Sequence, residues 1–285
     1  MNRIENLKKL GIILLGILLV ILAVYGGFRI LKATVFLEDE DAPKTETVSK
    51  TIEHDGKKYF PKQDVETILF IGVDGDDEIV ANEDSQCGIV AEELMVVILD
   101  KTKKQIDFIN LDCDIATDIP VLDADGKKSG TEFAKLGRAY SYGDGMETSC
   151  MNTIDAVSTL MHGVEIDHFI SLNMEALRIL SEAADVEFGD DEDMSINDVL
   201  YALKDVAESD PSVFLTKYKE ISKYLVTDCS ITTWGSIFGE YGEFEMNKSI
   251  YPDGKNVQGE DGWEYHLDEE NFKLIVLKYL FAEKQ

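Results

Sequence analysis

The sequence has no arginine after Arg178, no C-x-x-C pair among its four cysteines, and no G-x-S-x-G, Walker loop or H-E-x-x-H motif. Without paired cysteines, a zinc site lacks its usual scaffold. Without the other motifs, the common signatures of serine hydrolases, P-loop NTPases and zinc proteases are excluded. The four histidines, His54, His162, His168 and His266, are isolated in polar or strand contexts and read as surface or core residues rather than ligands. The spacing of Cys87, Cys113, Cys150 and Cys229 names no disulfide. A Cys87–Cys150 bridge and free buried thiols are both open.

Positive charge is also short. The chain carries 27 Lys and Arg against 56 Asp and Glu, a net charge of −29. Five of the basic residues and one of the acids lie in residues 1–32, so the remainder is more acidic still. Such a field repels nucleic acid and anionic lipid surfaces at long range, and nucleic acid is not an expected partner. A phosphate ligand would need a local basic pocket or a bound cation. The acid-dense stretch "DGDDEIVANEDS" from Asp74 is not an EF-hand, because Ile79 stands where that loop needs glycine and Ser85 where it needs its last glutamate.

What is present begins with a charge-free block, Leu10–Phe28, nineteen residues long. A helix needs roughly 20 apolar residues to cross a bilayer, so the block reads as a membrane anchor. The competing reading, a cleaved signal peptide, fits less well: the apolar run is long for an h-region and "AVYGG" is a poor cleavage site. The organisation expected is a cytoplasmic stub over 1–9, a transmembrane anchor over 10–30, an extracytoplasmic linker over 31–65 and a folded domain over 66–285. The localisation expected is a single-pass membrane protein with its C-terminal domain outside.

The linker is polar, with a small hairpin expected around Gly56. The domain opens with a buried strand, "TILFIGVDGDD", and continues with "ELMVVILD" and "QIDFINLD", joined by "KTKK" as an antiparallel hairpin. "ATDIPVLDADGKKSG" reads as a loop. A helix follows in "METSCMNTIDAVSTLMHG", with Met151, Ile154, Val157 and Met161 on one face and Gly163 at its stop. The strand "VEIDHFISLN" and the helix "MEALRILSEAA" come next. Helical stretches around "INDVLYALKDVAE" and "PSVFLTKYKEISKYL", two strands in "EFEMNKSIYP" and "GWEYHL", and a final helix capped by Asp268 complete the chain. Strands and helices interleave, which gives an α/β class.

The remaining chemistry is a set of acids at strand ends. Asp74 ends the first strand, Glu92 and Glu93 begin the second, and Asp112 and Asp114 end the third. If the strands are neighbours, carboxylates meet at one edge and are suited to a hard cation such as Mg²⁺. If not, they are solvated turn acids.

The segment order "ILFIGVD", "MVVILDKTKKQIDFINLDCDI", "KLGRAYSYGDG" and "VEIDHFISLNMEAL" resembles that of the LytR-CpsA-Psr family of cell-envelope phosphotransferases. The resemblance is close over about Thr67–Phe188. It implies a central twisted mixed sheet flanked by helices, with one N-terminal transmembrane helix. It implies transfer of a glycopolymer from a polyprenyl pyrophosphate carrier to peptidoglycan, with Mg²⁺ on the pyrophosphate and arginines on its oxygens. By position, Asp74 and Glu92 match the metal-binding acids, Asp114 the catalytic acid and Lys135 the phosphate-binding lysine; Arg138, three residues on, is the guanidinium nearby and reads either as a partial catalytic substitute for a missing phosphate clamp or as a surface ion-pair partner.

The match is uneven. Where the family has "R-S-D-T" this chain has "V-A-E-E" from Val90, and where it has "I-P-R-D-T" or "I-N-R-D-T" this chain has "L-D-C-D-I". Cys113 thus takes the place of a phosphate-binding arginine, and a neutral thiol cannot make the guanidinium's forked contact. The later arginine-bearing stretches and R-Q motif are missing. Loss of one donor to a developing charge costs about 10²- to 10³-fold in rate. A weakly active or inactive transferase is therefore expected, against a non-catalytic lipid-pyrophosphate-binding or regulatory module as the alternative. Family members are also described as transcriptional attenuators, but a chain this acidic suits direct DNA binding poorly.

Overall fold

The computed structural model describes residues 51–82, 86–183, 220–229, 244–259 and 262–283. The expected anchor and the helical stretches around 195–219 lie outside the described residues. Among those described, no helix is long and apolar enough to cross a membrane.

The chain divides into two compact units, one of residues 49–174, 225–228 and 244–285, the other of 1–48, 175–224 and 229–243. The first unit holds the sheet. Its first strands, β1 (Ile52–His54) and β2 (Lys57–Pro61), form the hairpin expected at Gly56. Asp55 and Gly56 at its tip both have positive φ, 49° and 72°, the backbone that two-residue hairpin turns demand.

The central sheet has six strands: β3 (Val65–Val73), β4 (Ala91–Asp100), β5 (Gln105–Leu111), β8 (His168–Asn173), β9 (Leu225–Thr227) and β10 (Glu245–Met246). Their order is β10-β5-β4-β3-β8-β9. β4 runs antiparallel to both of its neighbours, β3 and β5, while β8 runs parallel to β3, so the sheet is mixed. "KTKK" turns because buried Asp100 accepts the Lys103 N–H at 2.8 Å and its ammonium at 2.9 Å, while Lys104 takes a left-handed φ of 53°.

The loop expected after β5 is instead a ribbon of two strands, β6 (Ala116–Leu122) and β7 (Lys128–Lys135). β7 is mostly exposed, so it carries no apolar alternation; its turn is written in polar chemistry. Asp123 accepts the N–H groups of Asp125 and Lys127, and Gly126 has φ 73°. A 3₁₀ segment, Leu136–Tyr142, leads into helix α1, Glu147–Leu160.

The face of α1 also differs from expectation. Met151 is 51% exposed, while Cys150, Asn152, Thr153, Ala156 and Val157 are buried. The polar member has work to do there, since the Asn152 amide donates to the carbonyls of Pro120 and Ala139 at 3.0 and 2.7 Å. Beyond the helix, the Gly163 N–H donates to Ser158 O at 2.7 Å with φ 83°, a left-handed stop.

Helix α2 (Met174–Ala183) follows β8 directly and leads into the second unit. Near the C-terminus, a strand not expected from the sequence, β11 (Gly254–Gly259), pairs with β12 (Gly262–Leu267). Helix α3 (Glu269–Leu280) is capped by Asp268, whose carboxylate accepts the Asn271 N–H at 3.1 Å. β13 (Phe281–Glu283) then returns to pair with β2. Leu69, Ile71, Val96, Ile98 and Ile109 of the sheet share one core with Val157 of α1 and Phe272 and Val276 of α3. All four cysteines are free thiols.

Candidate functional site

Because β3, β4 and β5 are neighbours, the C-terminal ends of β3 and β5 and the start of β4 lie at one edge of the sheet. This edge carries Asp74, Glu92, Glu93, Asp112, Cys113 and Asp114. Glu92 occupies a bulge, with Gly72 opposite Glu93 and Val73 opposite Ala91, an irregularity of the kind that re-aims a side chain at the end of a ladder. Asp74 is exposed, and its carboxylate accepts the Gly75 N–H at 2.8 Å. The turn is tied to the end of β8, where the Met174 N–H donates to Gly75 O at 3.1 Å and the Asn173 amide to Asp77 O at 2.7 Å.

The turn after β5 sits against the 3₁₀ segment. Leu136 and Gly137 donate their N–H groups to the carbonyls of Ile115 and Cys113 at 2.8 and 2.9 Å. Only glycine fits at 137, since a Cβ there would stand 2.4 Å from Ala91 O and 3.1 Å from the Cys113 Cβ. This close approach fixes Cys113 at the centre of the acids. Burial raises its thiol pKa, and the charges of Asp112, Glu92, Glu93 and Asp114 raise it further. The thiol is therefore protonated and a poor nucleophile. A group at Cys113 therefore feels a negative potential, the reverse of what phosphate needs.

Both cations expected on phosphate are engaged by acids of the chain. Lys135 Nζ lies 2.8 Å from Asp114 Oδ1, with 28% and 52% of the two side chains exposed. Arg138 Nη1 lies 3.5 Å from Glu132 Oε1, and its Nη2 donates to Tyr142 Oη at 3.4 Å. The Tyr142 hydroxyl in turn donates to Glu132. Burial and Glu132 raise the Tyr142 pKa, so it remains a neutral donor. The structure thus joins Asp114 with Lys135, sets Arg138 in a separate triad with Glu132 and Tyr142, and leaves Asp74 and Glu92 as exposed carboxylates. Glu132 had no signal in the sequence because β7 reads as loop.

Among the described residues, these carboxylates do not gather as three ligands within 4.8 Å of one another. Carboxylate oxygens such as those of Asp74 and Glu92 are the donor type that Mg²⁺ takes, commonly one or two of them with substrate phosphates completing the shell.

The model of the LytR_cpsA_psr family matches residues 33–198. The chain belongs to the LytR-CpsA-Psr family. Solved structures agree on the fold. Protein gbs0355 from Streptococcus agalactiae aligns with a TM-score of 0.55 at 17% identity, covering 76% of this chain and 88% of that one. B. subtilis TagV aligns at 0.51 and 16% identity over 76% and 98%. A structure of TagT bound to LI-WTA aligns at 0.53 and 12% identity over 85% and 98%. At such identities the likeness is one of fold. No curated protein matches the chain. At the end of β5 in this fold stands Cys113, buried among the acids Asp112, Glu92, Glu93 and Asp114.

Proposed function

We propose that this LytR-CpsA-Psr protein serves cell-wall glycopolymer assembly as a membrane-anchored, extracytoplasmic protein whose pyrophosphate-transfer site is disarmed. The observation that carries the proposal is the environment of Cys113: four carboxylates around a neutral thiol, with Lys135 and Arg138 held by Asp114 and Glu132. A pyrophosphate brought to this edge meets acids before cations, and among the described residues no guanidinium fork stands at Cys113. The protein accordingly acts by binding, with little or no transfer.

The anchor of residues 10–30 would keep the domain of 66–285 at the outer face, within reach of a polyprenyl pyrophosphate-linked glycopolymer and of peptidoglycan. TagT, which shares the fold, is described as bound to LI-WTA, and that supports a glycopolymer-linked ligand for this chain. Mg²⁺ held by Asp74 and Glu92 would neutralise pyrophosphate charge. In any residual transfer, Asp114 would hold or accept a proton at its carboxylate, Lys135 would bind a phosphate oxygen on leaving Asp114, and Arg138 would do the same on leaving Glu132.

The test is an assay of the full chain with a polyprenyl pyrophosphate glycan, peptidoglycan and Mg²⁺, following lipid binding and phosphate release separately. Binding through the lipid and glycan parts of the carrier, with no release above the protein-free rate, is expected. Release that disappears in Asp74→Ala overturns the disarmed site, and absence of both overturns the carrier-lipid reading.

A further inference from the structure

The β11–β12 hairpin carries an unusual surface next to the site. Tyr265 forms a parallel bridge with Ile115, and its N–H donates to Asp114 O at 2.8 Å, so β12 is docked beside the acid-ringed turn. Trp263 lies two residues before Tyr265, on the same side of the strand. Its side chain is 60% exposed, in a chain with only two tryptophans. Directly opposite stand Gln258, paired with Trp263, and Asn256, paired with Tyr265. Both are exposed, and cross-strand partners share a face. The charged residues of the hairpin, Lys255, Glu264 and His266, lie on the other face, as the register requires.

One face therefore carries two aromatic residues about 7 Å apart along the strand, Trp263 exposed and Tyr265 partly buried against the core, bordered by two side-chain amides and by the carboxylates of Asp112 and Asp253 near the Tyr265 hydroxyl. Gly254 lets the second ring lie flat, because a Cβ there would stand 2.5 Å from the Tyr265 ring. The Tyr265 hydroxyl is fixed by donation to Pro252 O at 3.0 Å. An exposed indole offers an apolar plate with a polar edge, and amides supply both donors and acceptors for hydroxyl groups. A pyranose has the matching chemistry, with apolar C–H faces and a rim of hydroxyls. With Asp112 and Asp253 acting on the Tyr265 hydroxyl in a chain of net charge −29, a neutral glycan can approach where a polyanion is repelled.

We propose that the Trp263–Tyr265 face, with Asn256 and Gln258, is a binding subsite for a neutral oligosaccharide, lying beside Asp114. It deepens the glycopolymer reading above and rests on it only for the biological source of the glycan; the binding itself does not require pyrophosphate recognition.

The experiment uses the full chain with Trp234→Phe, which leaves Trp263 as the only tryptophan. Chitotetraose and maltotetraose are titrated while Trp263 emission is followed, with calorimetry as a second readout. A saturable emission change is expected with at least one sugar. Trp263→Ala should weaken binding about tenfold and Trp263→Phe roughly threefold at most, while Asn256→Ala combined with Gln258→Ala weakens it several-fold. Preference for chitotetraose assigns the subsite to an acetamido-sugar chain, and preference for maltotetraose to an unsubstituted hexose chain. Absence of saturable binding to either sugar overturns the proposal, as does equal affinity in Trp263→Ala. Because pyrophosphate is absent from the titration, its outcome is separate from the fate of the transfer site.

Discussion

At the residue scale, the proposed site turns on Cys113. The position lies among four carboxylates, and the thiol's pKa is raised first by burial and then by the charges of Asp112, Glu92, Glu93 and Asp114. An arginine there would neutralise part of that field and supply a fork for phosphate oxygens. Gly137 is the residue that makes the turn possible, and its replacement is diagnostic. Gly137→Ala would force a Cβ to 2.4 Å from Ala91 O, a backbone atom that cannot swing away. The expected loss is about 1–3 kcal/mol of stability, read from denaturant unfolding, with a shifted Cys113 environment. Wild-type stability in this variant would mean that the close approach does not hold in solution. The meeting of these acids at one sheet edge, with Cys113 among them, was legible from the sequence as strand-end residues of neighbouring strands. The triad of Arg138, Glu132 and Tyr142 was not, because Glu132 reaches Arg138 only through the β6–β7 ribbon.

At the scale of elements, strands with apolar periodicity were readable and those held by polar chemistry were not. β3, β4 and β5 follow from "TILFIGV", "ELMVVILD" and "QIDFINL", and Asp268 announces α3. β7 and β11 bury little, so their pairing is set by turns and backbone hydrogen bonds that no hydrophobic count reveals. The face of α1 was misread at Met151 because Asn152 is buried for its hydrogen bonds, which apolar periodicity does not count.

Edge strand β9 is fastened to β8 by a pH-dependent contact. His168 Nδ1 lies 3.2 Å from Asp228 Oδ2 and its Nε2 3.6 Å from Glu66, while Asp228 Oδ1 accepts the Phe169 N–H at 2.9 Å. The hydrogen bond with Asp228 raises the His168 pKa above its ordinary 6.5, against the opposing effect of burial. Burial alone would raise Asp228, but hydrogen bonds from His168 and Phe169 outweigh it and bring its pKa below 3.8. The histidine's contribution is complete below its unfolded pKa and is lost as pH rises through the folded one. The aspartate's contribution is present above its unfolded pKa and is lost as pH falls through the folded one. Amide-exchange protection of β9, corrected for intrinsic rates, should therefore be greatest between about pH 4 and 6.5 and fall on both sides. His168→Gln should flatten the alkaline fall, and an unchanged profile in that variant would refute the contact.

For the whole molecule, charge is the dominant feature. A net charge of −29 loads the folded state with self-repulsion that salt relieves. Raising NaCl from about 0.01 to 1 M shortens the screening length from roughly 30 to 3 Å, and Tm should rise. At equal ionic strength, MgCl₂ should raise it further if Asp74 and Glu92 hold Mg²⁺. Asp74→Asn with Glu92→Gln should remove that excess, and an excess that survives both changes would place the ion elsewhere.

The central claim, that the acid-ringed edge has lost its grip on pyrophosphate, is tested most directly by calorimetric titration of the full chain with Mg²⁺-pyrophosphate, beside Cys113→Arg. The account predicts no saturable binding to the wild type at micromolar concentration and at least about tenfold tighter binding on restoring the guanidinium. Micromolar binding to the wild type, weakened by Lys135→Ala and unaffected by Cys113→Arg, would contradict it.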